Sequence, residues 1–439
     1  MVTLTGYKGK VLIALSDHNI SIGNTMLIKT NVGEYTGILM PRYEFSDDNH
    51  IVIKLKNGYN IGVEADKVTG LEKVEVKCME LNKGETIKTT IDKNLPKIAM
   101  ISTGGTIASK IDYRTGGVRA ALTAEELYSA VPELSNYARI DTEVLFSEHS
   151  ENLSAKHWSE MGGKIYEKII DGYDGIVLTH GTDTIHYSAA ALSFALNNVP
   201  IPVVLVGAQR SSDRPSSDAA LNLIGAVQFA SSADVSGVFV AMHNNINDNE
   251  ISIHVGTRVR KNHTSRRDAF KSIDIQPAAL VNGKTIEMRL DSLSRRKKSS
   301  KFDVKPNFEE KVALLKYHPS MEPSIIEHFI DKGFRGLVIE GTGLGHVGKQ
   351  CFNMLKKAVE NDMLVCMSSQ CIWGRVKMTV YETGRDLLNI GIIPLSDMIS
   401  ETALVKTMWA LANSKDREEA KNLILKNIAM EYYDVSPLD

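Results

Sequence analysis

Lys97-Ile-Ala-Met-Ile-Ser-Thr-Gly-Gly-Thr-Ile-Ala-Ser-Lys110 is the stretch whose reading decides the fold. Ile98 to Ile101 is an apolar run that stops at Gly104-Gly105, with hydroxyls on either side at Thr103 and Thr106. An apolar run ended by glycines reads as a buried strand opening into a tight turn. The missing side chains at Gly104 and Gly105 let the backbone approach a ligand, with N–H groups free to hold an anion or a developing oxyanion. Thr106 then stands at the mouth of a crevice outside a strand's carboxyl end, where open α/β sheets bind ligands. A plain strand-to-loop turn with incidental threonines accounts for the same residues.

A second stretch repeats the pattern. Gly175-Ile-Val-Leu-Thr-His-Gly-Thr-Asp-Thr184 is again an apolar strand ending in a glycine turn, here with Thr182 and Asp183 adjacent and a helix following. Asp183 or Thr184 as a helix cap is the structural alternative. Two strand ends bearing Gly-Thr turns in one parallel sheet would converge on one crevice. The surrounding chain supports such a sheet. Strand candidates 98–102, 143–147, 175–179, 203–206 and 237–242 alternate with helix candidates 123–130, 154–170, 184–196 and 216–230, the first opening on a capping box at Thr123 and Glu126. Apolar strands alternating with helices of this length imply a parallel sheet covered on both faces.

With 439 residues the chain exceeds a usual single domain. The first 84 residues carry short, partly alternating segments at 11–14, 25–30, 34–40, 51–56 and 59–65, and Asn57-Gly58 is a hairpin signal. They predict a small antiparallel β-barrel over 1–84. A polar linker over 85–96 follows, then an α/β domain over 97–295 and a second α/β domain over 306–439. The charged interval between the two α/β domains contains Arg295-Arg-Lys-Lys298, a cluster able to touch RNA but more simply read as a solvated linker. Strands in the second unit are expected near 312–316, 336–340 and 363–368, with helices near 323–332, 352–361 and 400–412. A formal charge of −2 argues against a basic nucleic-acid footprint over the whole molecule. No apolar run approaches membrane-spanning length and the N-terminus lacks a signal-peptide pattern, so no membrane is expected and the cytoplasm is. Cys78, Cys351, Cys366 and Cys371 form no Cys-x-x-Cys pair, which points to reduced thiols rather than disulfides or zinc.

Thr103-Gly-Gly-Thr-Ile-Ala108 and His180-Gly-Thr-Asp-Thr184 resemble the two signature motifs of the asparaginase/glutaminase family of threonine amidohydrolases, in family order and at family-like spacing. The resemblance covers about residues 97 to 435. It implies an asparaginase-like two-domain parallel α/β core, preceded here by the small N-terminal β-barrel. It implies Thr106 as nucleophile, Thr182 as the second catalytic hydroxyl, and Asp183 as the group that binds the substrate's α-amino group and orients a lysine. The family's lysine maps to Lys261 within Gly256-Thr-Arg-Val-Arg-Lys-Asn-His-Thr264. A threonine hydroxyl is a weak nucleophile that needs such a base, and Arg258, Arg260, Arg266 and Arg267 would lower the lysine's pKa. Tyr113 is the best match to the mobile-loop tyrosine. Ser150 falls where the family binds the α-carboxylate, with Glu151 beside it as a departure that would repel that carboxylate. Gly105 and Gly181 complete the expected binding set, and no metal is expected.

Two other patterns are set aside. Gly343-Leu-Gly-His-Val-Gly-Lys-Gln350 follows a strand and fits most of a phosphate-binding loop, but Gln350 stands where a hydroxyl would ligate Mg²⁺. In the family a glycine-rich turn here helps complete a neighbouring subunit's site, which implies a homodimer. His149, His180 and His186 lack metal-ligand spacing.

The barrel and linker ahead of the asparaginase-like core resemble the D subunits of archaeal glutamyl-tRNA(Gln) amidotransferases. That resemblance implies a glutaminase supplying ammonia to a partner E subunit in a heterotetramer. The partner would bind Glu-tRNA(Gln) and use ATP and Mg²⁺, while this chain would use no cofactor. A stand-alone cytoplasmic L-asparaginase and a non-catalytic RNA-binding scaffold are the rival readings. One methylene separates glutamine from asparagine, worth about 1–3 kcal/mol in a pocket, so the sequence does not rank them.

Overall fold

The computed structural model describes residues 4, 6–42, 47–55, 60–74, 94–104, 109–111, 118–120, 131–210, 217–297 and 302–435. The N-terminal unit begins with α1 (Gly9–Asp17), followed by β1 (Thr25–Thr30), β2 (Gly33–Leu39), β3 (His50–Leu55), β4 (Asn60–Glu64) and β5 (Val68–Lys73). Val11–Ala14, expected as a strand, is the middle of α1. Val11 and Leu15, one helical turn apart, are its buried residues, and so short an apolar run does not by itself separate helix from strand. The five strands form one antiparallel sheet in the order β4-β3-β2-β1-β5. Closure into a barrel requires the two edges to pair, and no β4–β5 pairing occurs among the described residues. The described residues show the antiparallel sheet without closure into the expected barrel, and its core, Met26, Ile28, Leu39, Ile51 and Ile53, is shared with α1.

The central unit is organised by an eight-stranded sheet. Its elements are β6 (Lys97–Ser102), the small antiparallel pair β7 (Ser109–Ile111) and β8 (Val118–Ala120), β9 (Arg139–Val144), α2 (Ala155–Ile170), β10 (Gly175–Thr179), α3 (Ile185–Ala195), β11 (Pro202–Val206), α4 (Ala219–Ser232) and β12 (Gly237–His243). There follow β13 (Ile251–Val255), β14 (Val259–Lys261), β15 (Phe270–Ser272), β16 (Ala279–Asn282) and β17 (Thr285–Met288). The sheet order is β17-β16-β13-β12-β11-β10-β6-β9. Strands β9, β6, β10, β11 and β12 are parallel, whereas β13, β16 and β17 run antiparallel to their neighbours.

The expected parallel sheet is therefore mixed. The reason lies in a connection rather than in a strand. Residues 244–250 between β12 and β13 are too few for the crossover that a parallel pair needs.

Alternation along each strand explains why both faces are covered. Ala99 and Ile101 of β6, with Ile176 and Leu178 of β10, enter the core packed by α2 and α3. Ile98, Met100 and Val177 enter the opposite core, packed by α4. In chain order the five parallel strands take the doubly wound arrangement 2-1-3-4-5, so strand order reverses between β6 and β10. Ligands bind outside the carboxyl ends of strands at such a switch point. The Thr103-Gly104 and His180-to-Thr184 turns leave the sheet there.

The second unit contains β18 (Val312–Lys316), α5 (Ser324–Asp331), β19 (Gly336–Gly341), α6 (Phe352–Glu360), β20 (Leu364–Ser369), α7 (Glu382–Ile390), β21 (Ile393–Pro394), α8 (Ser400–Ala412) and α9 (Arg417–Leu425). Its parallel sheet, β18-β19-β20-β21, shares a core with the first unit. Helix α3 is buried along nearly its whole length because α8 covers the side turned away from the sheet, with Phe194 against Trp409.

The basic cluster at 295–298 has a structural member. Arg296 donates to the carbonyls of Ala230 and Ala233 at the C-terminal end of α4, at 3.0 and 2.9 Å, and to the carbonyl of Asp174. A cation there satisfies end-of-helix carbonyls and opposes the helix dipole. Arg296→Ala leaves those carbonyls without their donor and is expected to destabilise the chain by about 2 kcal/mol. Urea unfolding checks this; a change near zero contradicts the capping role.

Candidate active site

The end of β6 is pinned before any ligand is considered. Thr103 donates through its amide and its hydroxyl to the carbonyl of Thr179 on β10, at 3.1 and 2.8 Å. Thr103 is thus a fastener of the strand end. Gly104 follows with φ +116, and a Cβ there would collide with the backbone of Glu148. This crossing of two main chains requires a glycine at that position. Gly105, Thr106 and Tyr113 lie outside the described residues.

The crossing chain delivers Ser150. It opens a 3-10 turn, Ser150–Asn152, is buried, and accepts a 2.7 Å hydrogen bond on its carbonyl from Thr184 Oγ1. A Cβ on Gly181 would stand 2.8 Å from Ser150 Cβ, so the Gly-Thr-Asp turn sits directly on this serine. Glu151, in the same turn, is exposed. On the other side a Cβ on Gly207, just past β11, would stand 2.8 Å from Thr182 Cγ2. Two glycines therefore make room for Thr182 and for the turn that carries it.

A buried polar chain supports that turn from below. Trp158 Nε1 donates to Ser188 Oγ at 3.0 Å, and Ser188 Oγ lies 2.8 Å from His180 Nε2. His180 Nδ1 lies 2.7 Å from the carbonyl of Gly181. A carbonyl only accepts, so Nδ1 carries the proton and Nε2 accepts from the Ser188 hydroxyl. Burial pushes the His180 pKa down to about 4, which keeps the ring neutral and this relay intact. His186 is likewise lowered to about 4, by burial first and then by Arg260 and Lys261. His180 is committed to this support. Among the described residues no group of three or more His, Cys, Asp or Glu side chains is placed to hold a metal. Cys351 and Cys366 are buried free thiols, Cys371 an exposed one, and Cys78 lies outside the described residues.

Lys261 closes the site from a separate element. It ends β14, which pairs with β15 in a short antiparallel hairpin. Its Nζ lies 2.9 Å from Thr182 Oγ1 and 2.8 Å from Asp183 Oδ1. The lysine side chain is 9% exposed, whereas that of Asp183 is 70% exposed. A hydroxyl, an amine and a carboxylate in contact can move a proton on and off the hydroxyl oxygen. The exposed edge of Asp183 is left to meet a cationic group.

The four arginines near Lys261 do not surround it with free positive charge. Arg258 pairs with Asp397, Arg260 with Glu401, Arg266 with Asp268 and Arg267 with Asp248. The basic neighbourhood expected from sequence is a set of local ion pairs. Ser150, Gly181, Thr182, Asp183 and Lys261 are brought together. Asp397, Glu401, Ser188 and Gly207 were not singled out from sequence. The signal that could have raised the first two is the i, i+2 spacing of Arg258 and Arg260 at the start of a short strand that ends in Lys261, which sends two arginines to one side.

The same fold recurs among known proteins. Residues 97–294 match the model of the asparaginase N-terminal domain and residues 311–424 that of the glutaminase/asparaginase C-terminal domain. The thermostable L-asparaginase from Thermococcus kodakarensis superposes with a TM-score of 0.69 at 32% identity, covering 77% of this chain and 100% of that one. L-asparaginase I from Vibrio cholerae gives a TM-score of 0.67 at 26% identity, over 77% of this chain and 99% of the other. Fold and strand-end turns together define a protein of the asparaginase class.

The N-terminal sheet narrows this further. Residues 20–74 match the GatD N-terminal domain. The D subunit of the glutamyl-tRNA(Gln) amidotransferase from Pyrococcus horikoshii is 48% identical over 423 residues, covering 95% of this chain and 96% of that protein. The corresponding D subunit from Methanopyrus kandleri is 45% identical over 444 residues, covering 98% and 96%. The chain belongs to the family of glutamyl-tRNA(Gln) amidotransferase D subunits.

Two outcomes follow from the support beneath the turn. Gly181→Ala places a methyl against Ser150 and is expected to lower any turnover at the site at least tenfold while the far-UV spectrum is kept; unchanged turnover contradicts the tight contact. The lowered histidines also set a pH dependence. A neutral buried histidine with a folded pKa of about 4 against an ordinary 6.5 stabilises fully above pH 6.5, and that stability is lost as pH falls toward 4. Urea midpoints are expected to fall steadily from pH 7 to pH 4.5, and less steeply in His180→Gln; equal slopes would contradict the assignment.

Proposed function

We propose that this chain is the glutaminase component of a tRNA-dependent amidotransferase, working in the cytoplasm as a homodimer within a heterotetramer with an E-type partner. The observation that carries the reading is the contact of Lys261 Nζ with both Thr182 Oγ1 and Asp183 Oδ1 at the sheet's switch point. In this reading Asp183 meets the ammonium of the substrate's α-amino group and Ser150 serves its α-carboxylate. Glu151, exposed beside Ser150, favours the ammonium side of that zwitterion and weakens binding of free amino acid.

The chemistry balances in two steps. The Thr106 hydroxyl attacks the side-chain amide carbon, and its proton passes through the Thr182–Lys261 pair to the departing nitrogen, which leaves as ammonia. The resulting glutamyl ester on Thr106 is then cleaved by a water that gives its proton to the same pair, releasing glutamate and restoring the hydroxyl. Backbone N–H groups of the first glycine turn are the donors for the oxyanion in both steps. The partner would use ATP and Mg²⁺ to activate the γ-carboxyl of Glu-tRNA(Gln), where the ammonia is consumed. This chain supplies the ammonia with its own side chains.

Support for the tRNA-linked role comes from family membership and from the match of residues 20–74 to the GatD N-terminal domain. An ammonia-release assay with glutamine and asparagine, with and without partner and Glu-tRNA(Gln), tests it. Low activity alone, rising with partner and charged tRNA, is expected. Rapid asparagine hydrolysis by the lone chain favours an ordinary asparaginase, and silence under all conditions favours an RNA-binding scaffold. Thr182→Ala and Lys261→Met are expected to reduce stimulated ammonia release by about 10³-fold or more, in line with the loss of a nucleophile's activating group.

A further inference from the structure

We infer that Asp397 and Glu401 of the second domain are positioning residues for Lys261. Strand β14 is paired to β15 within its own unit, and Arg258 and Arg260 tie it to the second domain. Arg258, just ahead of it, is fully buried; its guanidinium donates to Asp397 Oδ2 and to the Asp397 carbonyl, both at 2.9 Å, and to the Met430 carbonyl at 3.0 Å. Asp397 is itself fixed by the amide of Tyr433 at 3.0 Å, and the Tyr433 ring lies 4.9 Å from the Arg258 guanidinium. Two residues on, Arg260 Nε donates to Glu401 Oε1 at 2.7 Å. Glu401 lies in the first turn of α8, where a carboxylate is favoured by the helix dipole. Thr402 Oγ1 adds a 2.8 Å bond to the carbonyl of Thr257.

Side chains alternate along a strand. With Arg258 and Arg260 committed to the second domain, Lys261 must leave on the other side, and there it meets Thr182 and Asp183. Its own strand partner is only the three-residue β15. So short a hairpin fixes a long lysine poorly by itself. Two charge-assisted anchors within three residues fix it well. Catalytic geometry is sensitive to displacements of about an ångström. The loop that enters α8 therefore sets the base of a site built on another domain's sheet. The kinetic arm of the test rests on the function proposed above; the labelling arm does not.

The test uses the full chain and its Glu401→Gln variant, which keeps shape and a hydrogen bond but removes the charge from a pair lying at the rim of the core. Lysines are reductively methylated in a time course and followed by peptide mass spectrometry. Lys261 is expected to react at least fivefold faster in Glu401→Gln, while Lys406, fully buried against Glu431, keeps its rate. With partner and Glu-tRNA(Gln) present, kcat for ammonia release is expected to fall 10- to 100-fold with KM changed less than twofold. The exchange Arg260→Glu with Glu401→Arg is expected to recover at least a third of the lost labelling protection. An unchanged Lys261 rate overturns the inference whatever the activity. Equal acceleration at Lys261 and Lys406 also overturns it, because it reports general loosening of the fold.

Discussion

Everything at the site depends on one long-range contact, the reach of Lys261 to Thr182 and Asp183 across 79 and 78 residues of sequence. Neither end is free to move. Thr182 is wedged between the backbone spaces left at Gly181 and Gly207, and its turn rests on Ser150 and on the neutral ring of His180. Lys261 is the last residue of a strand whose preceding arginines are bound to the second domain. The two-domain arrangement is thus part of the chemistry. Removing either partner of the buried Arg258–Asp397 pair would leave an uncompensated charge in the core, at a cost of about 3–5 kcal/mol.

The same economy of placement explains why the switch point is occupied by small and polar residues. Ser102, Thr103 and Thr179 are buried at the adjoining strand ends and satisfy one another, Thr179 Oγ1 to Ser102 Oγ at 3.2 Å and Thr103 Oγ1 to the Thr179 carbonyl at 2.8 Å. Buried hydroxyls at a sheet end are favourable only when paired. Here they lock β6 to β10 where the two signature turns leave the sheet, so the turns start from fixed positions.

Much of this was legible in the sequence because it is written in local patterns. Apolar runs ended by glycine located β6 and β10, and strand–helix alternation located the layers they belong to. What local patterns did not carry was direction and partnership. The antiparallel course of β13 is set by the short 244–250 connection, and α1 was hidden because four apolar residues fit either period. Arg258 and Arg260 looked like free positive charge because their carboxylates, Asp397 and Glu401, lie some 140 residues away in sequence. The crossing that requires Gly104 was not legible either, since only the fold brings the Glu148 backbone against it.

The proposed chemistry makes Lys261 and Thr182 the proton carriers for the Thr106 hydroxyl, and this is open to direct trapping. The complex with partner and Glu-tRNA(Gln) is mixed with glutamine, quenched in acid on the millisecond scale and digested for peptide mass spectrometry. A glutamyl ester on Thr106, present in the wild type and absent in Lys261→Met, is the predicted result. An ester on Thr182 instead, or one on Thr106 that forms at the same rate without Lys261, would contradict the account.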